Sequence, residues 1–186
     1  MIDRADHEQL SKSPMRIALC GQISSGKSVV ASHLVQNYGF EQHSFAHKLK
    51  TLCADLFGME GKDRVLLQRL GAKLREVDND VWLLYLVNRM PIDRDIVVSD
   101  VRYVNEYELL LDLGFLMLRM EVSRSSQLRR IKALYPGMPA YTLDDKSEHL
   151  LDRYKFDYTI LNETDGEPLT VLHADVDKIM REVYGC

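Results

Sequence analysis

An α/β fold with a parallel sheet of about five strands and a small helical lid is what this sequence predicts. Three observations lead there. The run Gly21-Gln22-Ile23-Ser24-Ser25-Gly26-Lys27-Ser28 satisfies the pattern G-x-x-x-x-G-K-[ST] at every fixed position. A short apolar segment, 15–20, feeds that loop, and an amphipathic segment, 29–38, leaves it. Further short β-rich segments then alternate with helical ones, the order that right-handed crossovers turn into a parallel sheet covered on both faces.

The first helix, 29–38, is expected to turn Val29, Val30, Leu34 and Val35 inward. A second strand is expected within 40–45, then a helix over 46–57 with Leu49, Leu52, Leu56 and Phe57 facing the core and Gly58 ending it. Val65, Leu66, Leu70 and Leu74 recur at helical spacing, and the apolar run 81–87 should lie against the core before Pro91 closes it. Ile96-Val97-Val98 is a β-branched run ending at Ser99-Asp100. A helix at 107–113 ended by Gly114, a strand at 115–122, a strand at 158–161 and a last helix at 169–184 complete the pattern.

Length and charge restrict the class of molecule. The 186 residues suit one domain, with no linker rich in Pro, Gly or Ser, and residues 1–14 read as a polar tail. No segment looks like a targeting sequence or a membrane span, so an intracellular, cytoplasmic protein is expected. A net charge of −4 offers no general attraction to nucleic acid; the expected partner is a small molecule, and a homodimer is compatible with the sequence. Cys20, Cys53 and Cys186 share no metal-ligand spacing, and Cys20 reads as a small apolar residue of the first strand.

The loop predicts the chemistry of its ligand. Gly21 and Gly26 let the backbone curl so that amides through Ser24, Ser25 and Val29 point at phosphate oxygens, Lys27 adds a positive charge, and Ser28 can ligate Mg²⁺. ATP with Mg²⁺ is therefore the expected donor. Guanine-specific switches need Asn-Lys-x-Asp, and the nearest text, Asn162-Glu163-Thr164-Asp165, lacks the lysine. Hydrolytic ATPases place a glutamate after the acid that ends the second-motif strand, but Val101 follows Asp100.

A kinase needs a second anionic pocket and arginines that close over the phosphoryl group. The segment 123–132 carries Arg124, Arg129, Arg130 and Lys132 after a late strand, and a lid is expected over about 123–146. Arg124 and either Arg129 or Arg130 are its candidate catalytic residues. The cluster 99–106 sits at the carboxyl end of a central strand, where open α/β sheets bind ligands. There Asp100 can hold Mg²⁺ through water or cap a helix, Arg102 can meet an acceptor phosphate or pair with Glu106, and Glu106 can accept from a base or sugar.

Several segments together resemble the bacteriophage-type deoxynucleoside monophosphate kinases: the loop 21–28, Ser44-Phe45-Ala46-His47-Lys48-Leu49-Lys50, Leu67-Gln68-Arg69-Leu70-Gly71, Val81-Trp82, Ser99-Asp100-Val101-Arg102 with Asn105-Glu106, and Ser147-Glu148. The resemblance spans about 16–183. It implies a three-layer phosphate-loop fold of the nucleoside monophosphate kinase type and transfer of the ATP γ-phosphoryl group to a nucleoside monophosphate. It also implies an acceptor pocket containing Ser44, His47, Lys50, Gln68, Gly71, Arg75, Trp82, Asp100, Arg102 and Glu106. Kinases of dephospho-coenzyme A or phosphomevalonate, and a nucleotide-binding regulator without catalysis, are the alternatives.

This chain departs from the resembled pattern at His47-Lys48, where an aspartate followed by proline is common. His47 is expected either to contact the acceptor phosphate, so that His47→Ala weakens acceptor more than ATP, or to be an exposed first-turn residue. Trp82 would by itself be read as core filler. Ser147-Glu148 receives no catalytic role.

Overall fold

The computed structural model describes residues 13–137, 146–164 and 169–185. Its central strand β1 (Arg16–Gly21) lies between β3 (Ile96–Val101) and β4 (Leu116–Glu121), with β2 (Glu41–His43) and β5 (Tyr158–Leu161) at the edges. Every pairing is parallel; Ile17 aligns with Val97 on one side and Leu116 on the other.

Period-2 alternation sends β1 into two cores. Ile17 and Leu19 pack with α1 (Lys27–Tyr38) and α7 (Thr170–Tyr184) through Val30, Leu34, Leu172 and Val176. Ala18 and Cys20 face the opposite core, where α2 (Ala46–Phe57), α3 (Arg64–Val77), α4 (Val81–Val87) and α5 (Val104–Asp112) contribute Leu49, Leu67, Trp82 and Leu110. α6 (Arg124–Leu134) rests on the phosphate loop, with Ile131 against Ile23.

The expected elements are present, with shifts that have local causes. α1 begins at Lys27, two residues early, because Gly26 carbonyl accepts from the amides of both Val29 and Val30. Its buried stripe is Val30, Ala31, His33 and Leu34 rather than one including Val35, which is exposed. Buried His33 is satisfied by α7: its Nε2 lies 2.6 Å from Asp177 Oδ1 and its ring stacks on His173. In α2 the inward residues are Leu49 and Cys53, while Leu56 and Phe57 are exposed near the Gly58 cap. α5 starts at Val104, not 107, which places Glu106 in its first turn. Cys20 is buried, and burial pushes its thiol pKa up, so it behaves as an apolar residue. Residues 1–12, and 138–145 of the expected lid, lie outside the described residues.

Candidate active site

The phosphate loop is shaped by close backbone approaches. Gly21 has φ 142°, and a Cβ there would lie 2.3 Å from the Met120 carbonyl oxygen. Gly26 has φ 105°, and a Cβ there would lie 2.4 Å from Asn162 Nδ2. Both positions therefore require glycine. Asn162, buried beside the loop, donates to the Ser25 carbonyl at 3.0 Å.

The loop's polar groups fit a polyphosphate. The buried hydroxyls of Ser24 and Ser25 have no hydrogen-bond partner among the described residues. Lys27 Nζ folds back to donate to the carbonyls of Gly21 (2.5 Å) and Gln22 (2.8 Å). Burial, reinforced by the Arg102 charge, pulls the Lys27 pKa down to about 8 against the opposing pull of Glu148. Ser28 is exposed on the first turn of α1, and Ser28 and Val29 line the adjoining cavity.

That cavity, about 740 Å³, runs from the loop to α2, α3 and α4. Its far half is cationic: Lys50, Lys62, Arg64, Arg75 and Arg102 line it. Partial desolvation, with repulsion from Arg64, Lys50 and Arg102, lowers the Lys62 pKa to about 8. Arg64 lies over the Tyr135 ring, 4.4 Å from its centroid. Ser44, Gln68, Gly71 and Trp82 complete the wall. Trp82 is 3% exposed, and its indole N–H has no partner among the described residues. Gly71 lets α3 approach α2 closely; a Cβ there would lie 3.1 Å from a Leu49 methyl.

The carboxylates in this half are already engaged. Asp100 accepts from Ser44 Oγ (2.6 Å) and from the amides of Phe45 and Ala46 (both 2.9 Å), so it caps the start of α2. It still lines the cavity with Ser28. Glu106 is buried; one oxygen accepts from Arg75 at 2.6 Å and the other from the amides of Arg102 and Tyr103. Arg75 also lies over the Tyr103 ring at 3.7 Å. Burial pushes the Glu106 pKa up to about 7, against the pull of Arg75.

The alternative of an Arg102–Glu106 ion pair is not what forms: only the Arg102 backbone amide reaches Glu106. The Arg102 guanidinium donates instead to Glu148, whose second oxygen accepts from the Ile23 amide at 2.8 Å. Glu106 faces Arg75 because it is held down on the start of α5, whereas Arg102 extends past it toward the loop.

Of the three candidate lid arginines, only Arg130 lines the cavity. It donates to the carbonyls of Ser24 (3.0 Å), Asn162 (2.8 Å) and Thr164 (3.0 Å). Gln127, Arg130 and Ile131, at i, i+3 and i+4, face the loop. Arg124 bonds Gln127 and Arg129 bonds Ser126, both within their own helix, and neither lines the cavity. His47 is exposed and does not line it either, because the first turn of α2 directs Ala46 and Leu49 inward. Gly21 acts in the turn and not in the wall.

Sequence reasoning overlooked Lys62, Arg64 and Asn162, and gave Glu148 no catalytic role. Two cations flanking Asp63, the N-cap of α3, were a usable signal for the first two. Asn162, which lines the cavity, and Glu148, which bonds the loop, are placed by contacts across more than a hundred residues.

The parallel five-stranded sheet with its helical cover is similar in fold to solved small-molecule kinases. Shikimate kinase from Bacteroides thetaiotaomicron superposes with a TM-score of 0.60 at 13% identity, covering 91% of this chain and 98% of that one. A gluconokinase from Sinorhizobium meliloti gives 0.58 at 18% identity, with 93% and 97% covered. At these identities the likeness concerns the fold. No family model matches the chain. A curated relative from Acanthamoeba polyphaga mimivirus, provisionally named a deoxynucleotide monophosphate kinase, is 27% identical over 56% of this chain and 72% of its own length. Among the described residues no helix is long and apolar enough to cross a membrane.

Proposed function

We propose that this protein transfers the γ-phosphoryl group of ATP to the phosphate of a nucleoside or deoxynucleoside 5′-monophosphate. The observation that carries the reading is the charge of the far half of the cavity. Lys50, Lys62, Arg64, Arg75 and Arg102 converge there, and only Arg75 and Arg102 have carboxylate partners among the described residues. A phosphate ester on the acceptor complements this concentration of positive charge, which a neutral acceptor does not. The name of the mimivirus relative supports the same substrate class.

In this reading an oxygen of the acceptor phosphate attacks the γ-phosphorus. A P–O bond forms, the bond to the β–γ bridging oxygen breaks, and ADP leaves. A monophosphate with second pKa about 6 is already a nucleophile at neutral pH and needs no general base. Lys27 exchanges its carbonyl partners for phosphate oxygens, and Arg130 offers positive charge from α6. Ser28, with Asp100 through water, would hold Mg²⁺, which shields the β- and γ-phosphate charge when bound. Arg124 and Arg129, which bond within α6 and do not line the cavity, are given no part in this step.

The test is incubation of the purified chain with ATP, Mg²⁺ and a panel of ribo- and deoxyribonucleoside monophosphates, with shikimate and gluconate as alcohol acceptors. Formation of a nucleoside diphosphate from the panel is expected. Turnover of an alcohol alone, or ATP binding without any transfer, overturns the reading.

A further inference from the structure

Glu148 is the buried acid for which the reaction above has no use. It ends a short 3₁₀ turn, Lys146–Glu148, far in sequence from everything it touches. Its side chain is 3% exposed in the Arg102 pair. One oxygen accepts from the Ile23 backbone amide, in the middle of the phosphate loop; the other accepts from the guanidinium of Arg102, in the cationic half. We propose that Glu148 is a positioning residue that fixes the acceptor-binding arginine relative to the donor loop, so that acceptor phosphate and γ-phosphate meet in register. This rests on the phosphoryl-transfer reading of the cavity.

The geometry favours such a role over mere structural filling. A guanidinium has five N–H donors in a rigid plane, and a carboxylate on one edge orients the others. Only one Arg102 side-chain donor is engaged within the described residues, at Glu148, and Arg102 lines the cavity. An edge is thus left to receive a phosphate. Beside the turn, His149 Nδ1 lies 3.0 Å from Asp152 Oδ2 and 3.4 Å from the Gln22 side-chain amide of the loop, and the protonation of that one nitrogen allows a hydrogen bond to one of them at a time. Loop, turn and Arg102 therefore form one connected unit. In-line transfer is sensitive to ångström-scale misplacement of either phosphate, which makes a shared anchor effective.

The electrostatics agree. Glu148 raises the proton affinity of both Arg102 and Lys27, whereas Arg102 lowers that of Lys27. A single carboxylate between the two cations lets them stand in one cavity before any phosphate arrives.

The experiment is steady-state kinetics of wild type, Glu148→Gln, Glu148→Asp, Arg102→Gln and the double variant Arg102→Gln/Glu148→Gln, with ATP affinity and Tm measured for each. Glu148→Gln keeps an oxygen for the Ile23 amide but removes the charge from Arg102. The acceptor KM is expected to rise roughly ten- to a hundredfold, the scale of a charged hydrogen bond, with ATP affinity within about threefold. Glu148→Asp retains the charge with shorter reach and should fall between. In the Arg102→Gln background the same change should have at most a threefold effect, because the partner is already gone.

Equal losses for ATP and acceptor, an unchanged acceptor KM, or additive effects in the double variant overturn the proposal while leaving the kinase reading intact. If Glu148→Gln fails to fold, Glu148→Asp and Arg102→Gln decide, by whether their acceptor KM rises without loss of ATP affinity. A wild type that phosphorylates no monophosphate overturns the reading of the site and this proposal together.

Discussion

The two halves of the cavity are built in opposite ways. The loop half is made of consecutive residues, Gly21 to Ser28, whose backbone does most of the work and whose lysine returns to its own carbonyls. The cationic half gathers Lys50 from α2, Lys62 from the segment before α3, Arg64 and Arg75 from α3 and Arg102 from just after β3, and Arg75 and Arg102 are held by carboxylates from elsewhere in the fold. A backbone site is specified by local geometry and tolerates little change at its glycines. A side-chain site is specified by burial and charge balance across the fold.

Variants can break or sharpen this contrast. The largest effect is expected at Lys27→Ala, which removes the loop's only fixed charge: kcat should fall by roughly 10²–10³-fold or more with the fold preserved. Undiminished transfer of phosphate would show that the loop is not the donor site.

Next is the buried Arg75–Glu106 pair. Arg75→Gln should destabilise the fold by about 3 kcal/mol at pH 8, where a buried carboxylate loses its partner. The loss should be smaller at pH 5. In the wild type Glu106 has a folded pKa of about 7, above its unfolded value, so the folded state holds more protons in that interval. Its contribution to stability is full below the unfolded pKa and is lost as pH rises through about 7. Glu106→Gln should remove this pH dependence in urea unfolding at pH 5 and 8; an unaltered dependence would assign it to another group.

A smaller effect is expected at the pocket rim. With its pKa near 8, Lys62 loses its charge above that pH, so acceptor affinity measured by calorimetry without ATP should weaken severalfold between pH 7 and 9.5. Lys62→Arg, permanently charged, should flatten the profile; an identical slope would exclude Lys62 as an acceptor contact. The smallest effect belongs to His47→Ala. Exposed and outside the cavity wall, as in the exposed first-turn alternative, it should change ATP and acceptor affinity by no more than about twofold in titrations.

Legibility in the sequence followed the same division. The strands β1, β3 and β4 were evident as apolar runs because the interior of a parallel sheet covered on both faces demands them. α2 could be bounded because Gly58 caps it in a left-handed conformation. Which α2 residues face inward could not, since Leu56 and Phe57 are as apolar as Leu49 but lie past the edge of the core. Likewise Arg124, Arg129 and Arg130 are chemically alike, and only the seating of α6 on Ile23 decides that Arg130 reaches the cavity.

By itself, the sequence determined the phosphate loop, the alternation of strands and helices, and a cluster of polar residues after β3, because each follows from a short pattern with a local physical cause. The tertiary structure decided the partners. Glu106 holds Arg75, Asp100 caps α2, and Glu148 bridges Arg102 to the loop amide of Ile23. Charges choose counter-charges by proximity after folding, and proximity between residues 23, 102 and 148 exists only once the sheet has brought their segments together.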